Sequence, residues 1–254
     1  METADRAELT VLVDNVAVDE RLVTVYGLSV YIRVYNGGSS KSLLFDVSGS
    51  PWALLHNARV LGVDIDGVDY VVISHMHRDH YAALPRVADI LRPRRVYLPE
   101  PRGVSSRVSE VLEGVSVEKT VYLRGRVVIA PGVTVFGPVG SSGEVSLLVS
   151  AGGSSLLVVA CGHAPLKQVL YWAGRSEYDV VMGGFHLKNS GREYIEEIAG
   201  LLWEKSRLVV GLHCSHWGSW LLSVLLGSRY VDGGAGLRIV AEPGLLRLHP
   251  PPAL

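Results

Sequence analysis

The sequence predicts an α/β fold in which helices cover two packed β-sheets, and three observations predict it. Short β-branched runs bounded by Gly, Ser, Asn or Asp recur along the chain. Segments with helical spacing lie between most of these runs towards both ends. Residues 115–160, by contrast, read as a series of hairpins with Gly-rich turns, so part of the sheet is antiparallel.

The strands expected in the first half are Thr10 to Val13, Ser29 to Tyr35, Ser42 to Phe45, Tyr70 to Ser74, Arg95 to Leu98, Val127 to Ile129 and Thr134 to Phe136. Those in the second half are Val145 to Ser150, Ser155 to Ala160, Val180 to Met182, Arg207 to Leu212 and Leu237 to Val240. Helices are expected over Trp52 to Leu61, Tyr81 to Leu91, Ser105 to Leu112, Leu166 to Ala173, Tyr194 to Lys205 and Trp217 to Leu225.

A chain of 254 residues suits one domain, expected over 1–254 with residues 1–9 and 249–254 as peripheral tails. Hydrophobic residues make up 48% and charged residues 19%, which places the chain with compact proteins rather than disordered ones. A formal net charge of −1 supplies no overall positive field for phosphate backbones or anionic lipid, so a small-molecule substrate is expected rather than nucleic acid. The longest apolar runs fall well short of the ~20 residues needed to cross a bilayer, and Met1 to Leu9 lacks the pattern of a secretory signal. No membrane association is expected, and the expected location is cytoplasmic. Cys161 and Cys214 are then buried thiols rather than a bridge. A single Gln and few Asn fit a heat-adapted source.

The chemistry concentrates in Tyr70-Val71-Val72-Ile73-Ser74 followed by His75-Met76-His77-Arg78-Asp79-His80. An apolar strand here delivers four metal-ligand side chains within six residues. Imidazole suits zinc, iron or nickel, and the carboxylate adds charge. Alternation points His75 and His77 one way, while Asp79 and His80 face elsewhere at the turn into a helix. Three further histidines, His163, His186 and His213, each end or closely follow an apolar strand. Functional groups in α/β folds gather beyond the carboxyl ends of strands, so these three are expected to converge on the His75 loop. His186 is either a ligand or a group that holds substrate or a reacting proton. His216 is expected behind the ligands at the pocket or at the surface rather than as a ligand, and His56 and His249 away from the site. Asp46, ending the strand Ser42 to Phe45, is expected to support the site from below. Either cysteine, being next or close to a candidate ligand, is a weaker ligand candidate.

These residues resemble the metallo-β-lactamase superfamily, whose signature is a strand ending in His-x-His-x-Asp-His. Leu12-Val13-Asp14-Asn15, Gly27-Leu28-Ser29, Leu44-Phe45-Asp46, Gly183-Gly184-Phe185-His186-Leu187 and His213-Cys214 extend the resemblance to the subgroup that includes 7,8-dihydropterin-6-methyl-4-(ribofuranosyl)aminobenzene-5′-phosphate synthases. It runs from about residue 10 to about residue 240. The resemblance implies a four-layer αββα sandwich, with His75 and His77 on a first metal, Asp79, His80 and His213 on a second, and His163 at the position of the bridging aspartate. Gly137 to Glu144, where such hydrolases usually offer another histidine, contains none.

One or two divalent transition-metal ions are therefore expected, zinc first, with iron, manganese or nickel as alternatives. The leading function is metal-dependent hydrolysis of a small phosphate- or ester-containing substrate, with Asp79 and His186 as the catalytic side chains. The alternatives are a synthase-like transferase that releases pyrophosphate and a non-catalytic metal-binding protein.

Overall fold

The computed structural model describes residues 3–100, 112, 115 and 117–249. The helix expected over Ser105 to Leu112 and the terminal Pro250 to Leu254 fall almost wholly or wholly outside these residues. The described residues form two sheets. The first contains β1 (Arg6–Val13), β2 (Ser29–Asn36), β3 (Ser39–Phe45), β4 (Tyr70–Val72), β5 (Arg95–Pro99), β6 (Lys119–Leu123), β14 (Arg238–Glu242) and β15 (Leu245–His249), in the order β15-β14-β1-β2-β3-β4-β5-β6. The second contains β7 (Gly125–Ala130), β8 (Val133–Val139), β9 (Glu144–Ala151), β10 (Ser154–Val159), β11 (Tyr178–Gly183), β12 (Ser206–Gly211) and β13 (Tyr230–Asp232), in the order β13-β12-β11-β10-β9-β8-β7.

The two sheets bury a common core, in which Leu9, Ile32, Leu43 and Phe45 of the first meet Val135, Leu147, Leu156 and Met182 of the second. The outer face of the first sheet packs on α1 (Pro51–Val60) and α3 (Leu84–Leu91) through Ala53, Leu54, Leu84 and Val87. The outer face of the second packs on α4 (Leu166–Ala173), α5 (Arg192–Lys205) and α6 (Ser219–Leu226) through Val169, Ile198, Leu202 and Leu222. Four layers result, in the expected order αββα. Strands β10 and β11 are buried along nearly their whole length, as strands covered on both faces must be. No helix among the described residues is long and apolar enough to cross a membrane.

Three expectations are corrected. Residues 1–9 are not all tail: Arg6 to Leu9 lie in β1 between β14 and β2, and Ala4 bridges to Ala151. The alternation Arg-Ala-Glu-Leu buries one face and exposes the other. His249 likewise ends an edge strand rather than lying in a tail. The helix expected over Tyr81 to Leu91 divides into α2 (Arg78–Tyr81) and α3, with Pro85 in the first turn of α3.

β3, β4, β5 and β6 are mutually parallel, and so are β10, β11, β12 and β13. β1 is antiparallel to β2, which is antiparallel to β3, so β1 shares the direction of β3. The carboxyl ends of these strands deliver the candidate functional side chains. Gly183, which closes β11, has φ +134°, and a Cβ there would collide with the carbonyl oxygen of Val159. Gly183→Ala is therefore expected to destabilise the fold by ~3 kcal/mol or more. Denaturant unfolding checks this, and an unchanged midpoint would contradict the packing described.

Candidate metal centre

Each candidate ligand lies just beyond a strand of one of the two parallel sets: His75 after β4, His163 after β10, His186 after β11 and His213 after β12. Asp46 after β3, together with His186 and His213, adopts φ of 61°, 51° and 46° respectively. Left-handed backbone is costly for non-glycine residues and persists where the surroundings enforce it, which is common at functional sites.

Asp46 organises the floor. Its Oδ1 accepts the Ser74 backbone N–H at 2.7 Å, and its Oδ2 accepts the Ser74 hydroxyl at 2.7 Å. The same Oδ2 lies 2.6 Å from His80 Nδ1, and both side chains are fully buried. Since the Ser74 proton goes to Asp46, Ser74 Oγ accepts from His75 Nδ1 at 2.9 Å, which leaves His75 Nε2 as the ring's lone-pair nitrogen. That nitrogen lies 3.0 Å from His77 Nδ1. His163 joins this pair, its ring centroid 4.8 Å from His75 and 4.7 Å from His77.

On the other side, Asp79 Oδ2 lies 3.4 Å from His80 Nε2 and 3.3 Å from His213 Nε2. Asn15 Oδ1 lies 3.0 Å from His213 Nδ1, and Asp14 Oδ2 accepts the His213 backbone N–H at 2.9 Å, both from the loop after β1. Each ring of the second group is thus held at Nδ1 and directs Nε2 inward, as metal-ligating histidines usually are.

The six sequence-predicted ligands therefore come together, and His186 joins them with its ring 4.3 Å from that of His163. The resemblance put His163 at the bridging position, but the structure groups it with His75 and His77. The atom common to the two sides is Cys161 Sγ, whose distances to donor atoms of His75 and His163, of His80 and His213, and of His186 and Cys214 fall within 4.8 Å in each group. Cys161 and Cys214 are free and buried, with sulfurs 2.8 Å apart.

His163 Nε2 and His186 Nδ1 are buried with no hydrogen-bond partner, and His80 Nε2 and His213 Nε2 meet only the Asp79 carboxylate, at 3.4 and 3.3 Å. An unpartnered buried polar atom costs about 1–3 kcal/mol, so these nitrogens call for a further partner. Imidazoles, a carboxylate and thiols are the donor set of a transition-metal ion, and the residues fit one.

The electrostatics agree. Burial, then His80, His163 and His77, push His75 well below the ordinary histidine value, and burial with His186 and His77 pushes His163 down to about 4, so both are neutral donors near pH 7. Burial opposes charge on Asp79, yet His213 and His80 outweigh it and hold the carboxyl well below the usual range. Burial opposes charge on His80 too, and Asp46 with Asp79 overcomes it, pushing His80 up to about 10. The second group thus attracts a cation at Nε2, whether a proton or a metal. Cys214 is drawn down chiefly by its contact with Cys161, which is pushed up in turn.

His216 stands outside the cluster, bonded to Asp14 at 2.7 Å and Asp232 at 3.1 Å. His56 Nε2 contacts the Arg21 carbonyl instead. Sequence reasoning missed the clamping role of Ser74 and that of Glu144, whose carboxylate accepts the N–H groups of Cys161, Gly162 and His163 at 2.8–3.0 Å. It gave Asp14 and Asn15 no role in holding His213. The signal was available, since Asp14 follows β1 as Asp46 follows β3.

Residues 24–176 match the model of the metallo-beta-lactamase superfamily. An uncharacterized protein of Methanocaldococcus jannaschii, MJ0448, is 24% identical over 242 residues, covering 82% of this chain and 90% of that protein. The 7,8-dihydropterin-6-methyl-4-(beta-D-ribofuranosyl)-aminobenzene-5'-phosphate synthase of the same organism is 34% identical over 59 residues, only 23% of this chain and 20% of that one. Among solved structures, Tm1679, a metal-dependent hydrolase of the beta-lactamase superfamily, superposes with a TM-score of 0.73 at 23% identity, covering 91% of this chain and 98% of that one. A diphosphatase of the PhnP family does so with a TM-score of 0.61 at 15% identity, covering 91% and 96%. The family match extends over more than half of the sequence and includes the whole His75–His80 loop, and on that ground the chain belongs to the metallo-beta-lactamase superfamily.

Proposed function

We propose that this protein is a metal-dependent hydrolase of a small phosphate- or ester-containing substrate, with zinc as the metal. The observation that carries the reading is the convergence of buried imidazole nitrogens, short of hydrogen-bond partners, on Asp79 and Cys161. We assign His75, His77 and His163 to one donor group and Asp79, His80 and His213 to the other, with the Cys161 sulfur within reach of both. A bound divalent ion supplies a Lewis acid and lowers the pKa of a coordinated water from 15.7 toward about 7.

The chain's own groups do the rest. Asp79 stays ionised and, at 23% exposure, can orient the attacking water while reaching His80 and His213. His77 is exposed and His163 and His186 half-buried, so the cluster opens to solvent on their side. We assign to His186 the transfer of a proton to the leaving group, a role supported by its unpartnered buried Nδ1 and its ring contact with His163. Asp46 and Asn15 hold the rings of His80 and His213.

The partial match to the dihydropterin synthase supports a second reading, a transferase that uses the same donors to hold departing pyrophosphate. Product analysis separates the two: a hydrolase incorporates oxygen from labelled water into product, and a transferase does not.

His77→Ala is expected to remove at least half of the bound metal and to abolish turnover on a panel of aryl esters, phosphomonoesters and phosphodiesters. Retained turnover would overturn the mechanism. Asp46→Asn keeps the shape of the buried carboxyl but removes its charge, and a metal titration should show roughly 10–100-fold weaker binding. Unchanged affinity would mean that the Asp46–His80 contact does not tune the site.

A further inference from the structure

Beside the metal centre lies an ammonium group that the mechanism does not use. Lys188 is exposed, and its Nζ sits 5.5 Å from the centroid of the Tyr26 ring and 5.1 Å from that of Trp217. Among the described residues no carboxylate pairs with it. Lysines on a surface usually extend into water; this one is placed over two aromatic faces that attract it through their quadrupoles.

Three features fix the arrangement next to the metal ligands. Tyr26 packs its ring 4.9 Å from that of His213, and its hydroxyl lies 3.7 Å from Cys214 Sγ. The segment carrying it is tied down where the Leu28 N–H meets the Asp79 carbonyl at 3.4 Å and the Gly27 N–H donates to Asn15 Oδ1 at 3.3 Å. Lys188 follows the buried Leu187, whose N–H donates to the Cys214 carbonyl at 3.2 Å. Leu187 packs so closely on Gly218, next to Trp217, that a Cβ there would meet Leu187 Cδ1 at 2.8 Å. The loop bends sharply on both sides of the lysine, with φ of 51° at His186 and 62° at Asn189. The ammonium is therefore held one ring away from His213, and two residues from His186, by a built scaffold.

Tyr26 and Trp217 remain 49% and 59% exposed, so each still offers apolar surface. A lysine ammonium has three donors, and aromatic faces satisfy none of them as an anionic oxygen would. We propose that Lys188, Tyr26 and Trp217 form a substrate subsite for a planar organic anion, in which the ammonium binds a phosphoryl or carboxylate group and the two aromatic side chains pack against the organic body. This rests on the hydrolase reading of the neighbouring cluster and narrows its substrates: the group under attack lies at the metal, and a second, anionic group lies outside it at Lys188. Neutral esters would then be poor substrates.

The test is calorimetric binding of phenylphosphonate, inorganic phosphate and benzyl alcohol to the metal-loaded protein, with metal content measured on each variant. Phenylphosphonate is expected to bind saturably and more tightly than inorganic phosphate, and benzyl alcohol not detectably. Lys188→Met should weaken phenylphosphonate at least tenfold with metal content unchanged, Lys188→Arg should retain most of the affinity, and Tyr26→Ala with Trp217→Ala should reduce phenylphosphonate towards the affinity of phosphate. No saturable binding to wild type, or equal binding by Lys188→Met, would overturn the subsite. Binding that survives Lys188→Met but disappears on metal removal would overturn it while leaving the hydrolase reading intact. A wild-type protein that takes up no metal would instead refute that reading.

Discussion

The buried carboxylate of Asp46 is the contact on which the functional end of the molecule depends. A fully buried charge is stable only when its lone pairs are occupied, and Asp46 meets that condition with the Ser74 N–H, the Ser74 hydroxyl and His80. Those three bonds join β3 to the loop after β4, set the orientation of the His80 ring, and through Ser74 select the nitrogen that His75 presents. One side chain thereby links the frame of the first sheet to both groups of candidate metal donors. Its left-handed backbone is the local strain that this arrangement imposes.

The second sheet answers with equivalent devices. Glu144 gathers three successive backbone N–H groups and so shapes the turn that presents Cys161 and His163. Asp14 and Asn15 reach across from the first sheet to hold His213. Carboxylates from buried positions fix the loops, while imidazoles and sulfurs gather beyond the strand ends. Buried imidazole nitrogens are thereby left short of partners at the strand ends, where a bound cation would satisfy them.

Much of this was legible in the sequence because the signals were local. The apolar strand before His75 and the dense histidine loop after it identify the first donors within about ten residues, and the rule that loops beyond strand ends carry function located His163, His186 and His213. What was not legible depends on direction across distant loops. Nothing near Cys161 in sequence shows that its sulfur, rather than the His163 ring two residues later, reaches both sides of the cluster. β6, β13 and β15 were missed because they are short or half-exposed and interrupted by charge, as in Leu-Leu-Arg-Leu-His. The start of β1 was missed for a related reason: Arg6 and Glu8 read as a charged terminus, although their alternation with Ala7 and Leu9 is that of a strand with one covered face.

The central claim is that the histidine, aspartate and cysteine side chains gathered at the strand ends hold a transition metal. Elemental analysis of the purified wild-type protein, after dialysis against metal-free buffer without chelator, tests it most directly. One or two equivalents of a divalent transition metal per chain, zinc foremost, is the predicted result. A folded protein that contains none, and that takes up none when zinc, iron, manganese or nickel is supplied, would contradict the account.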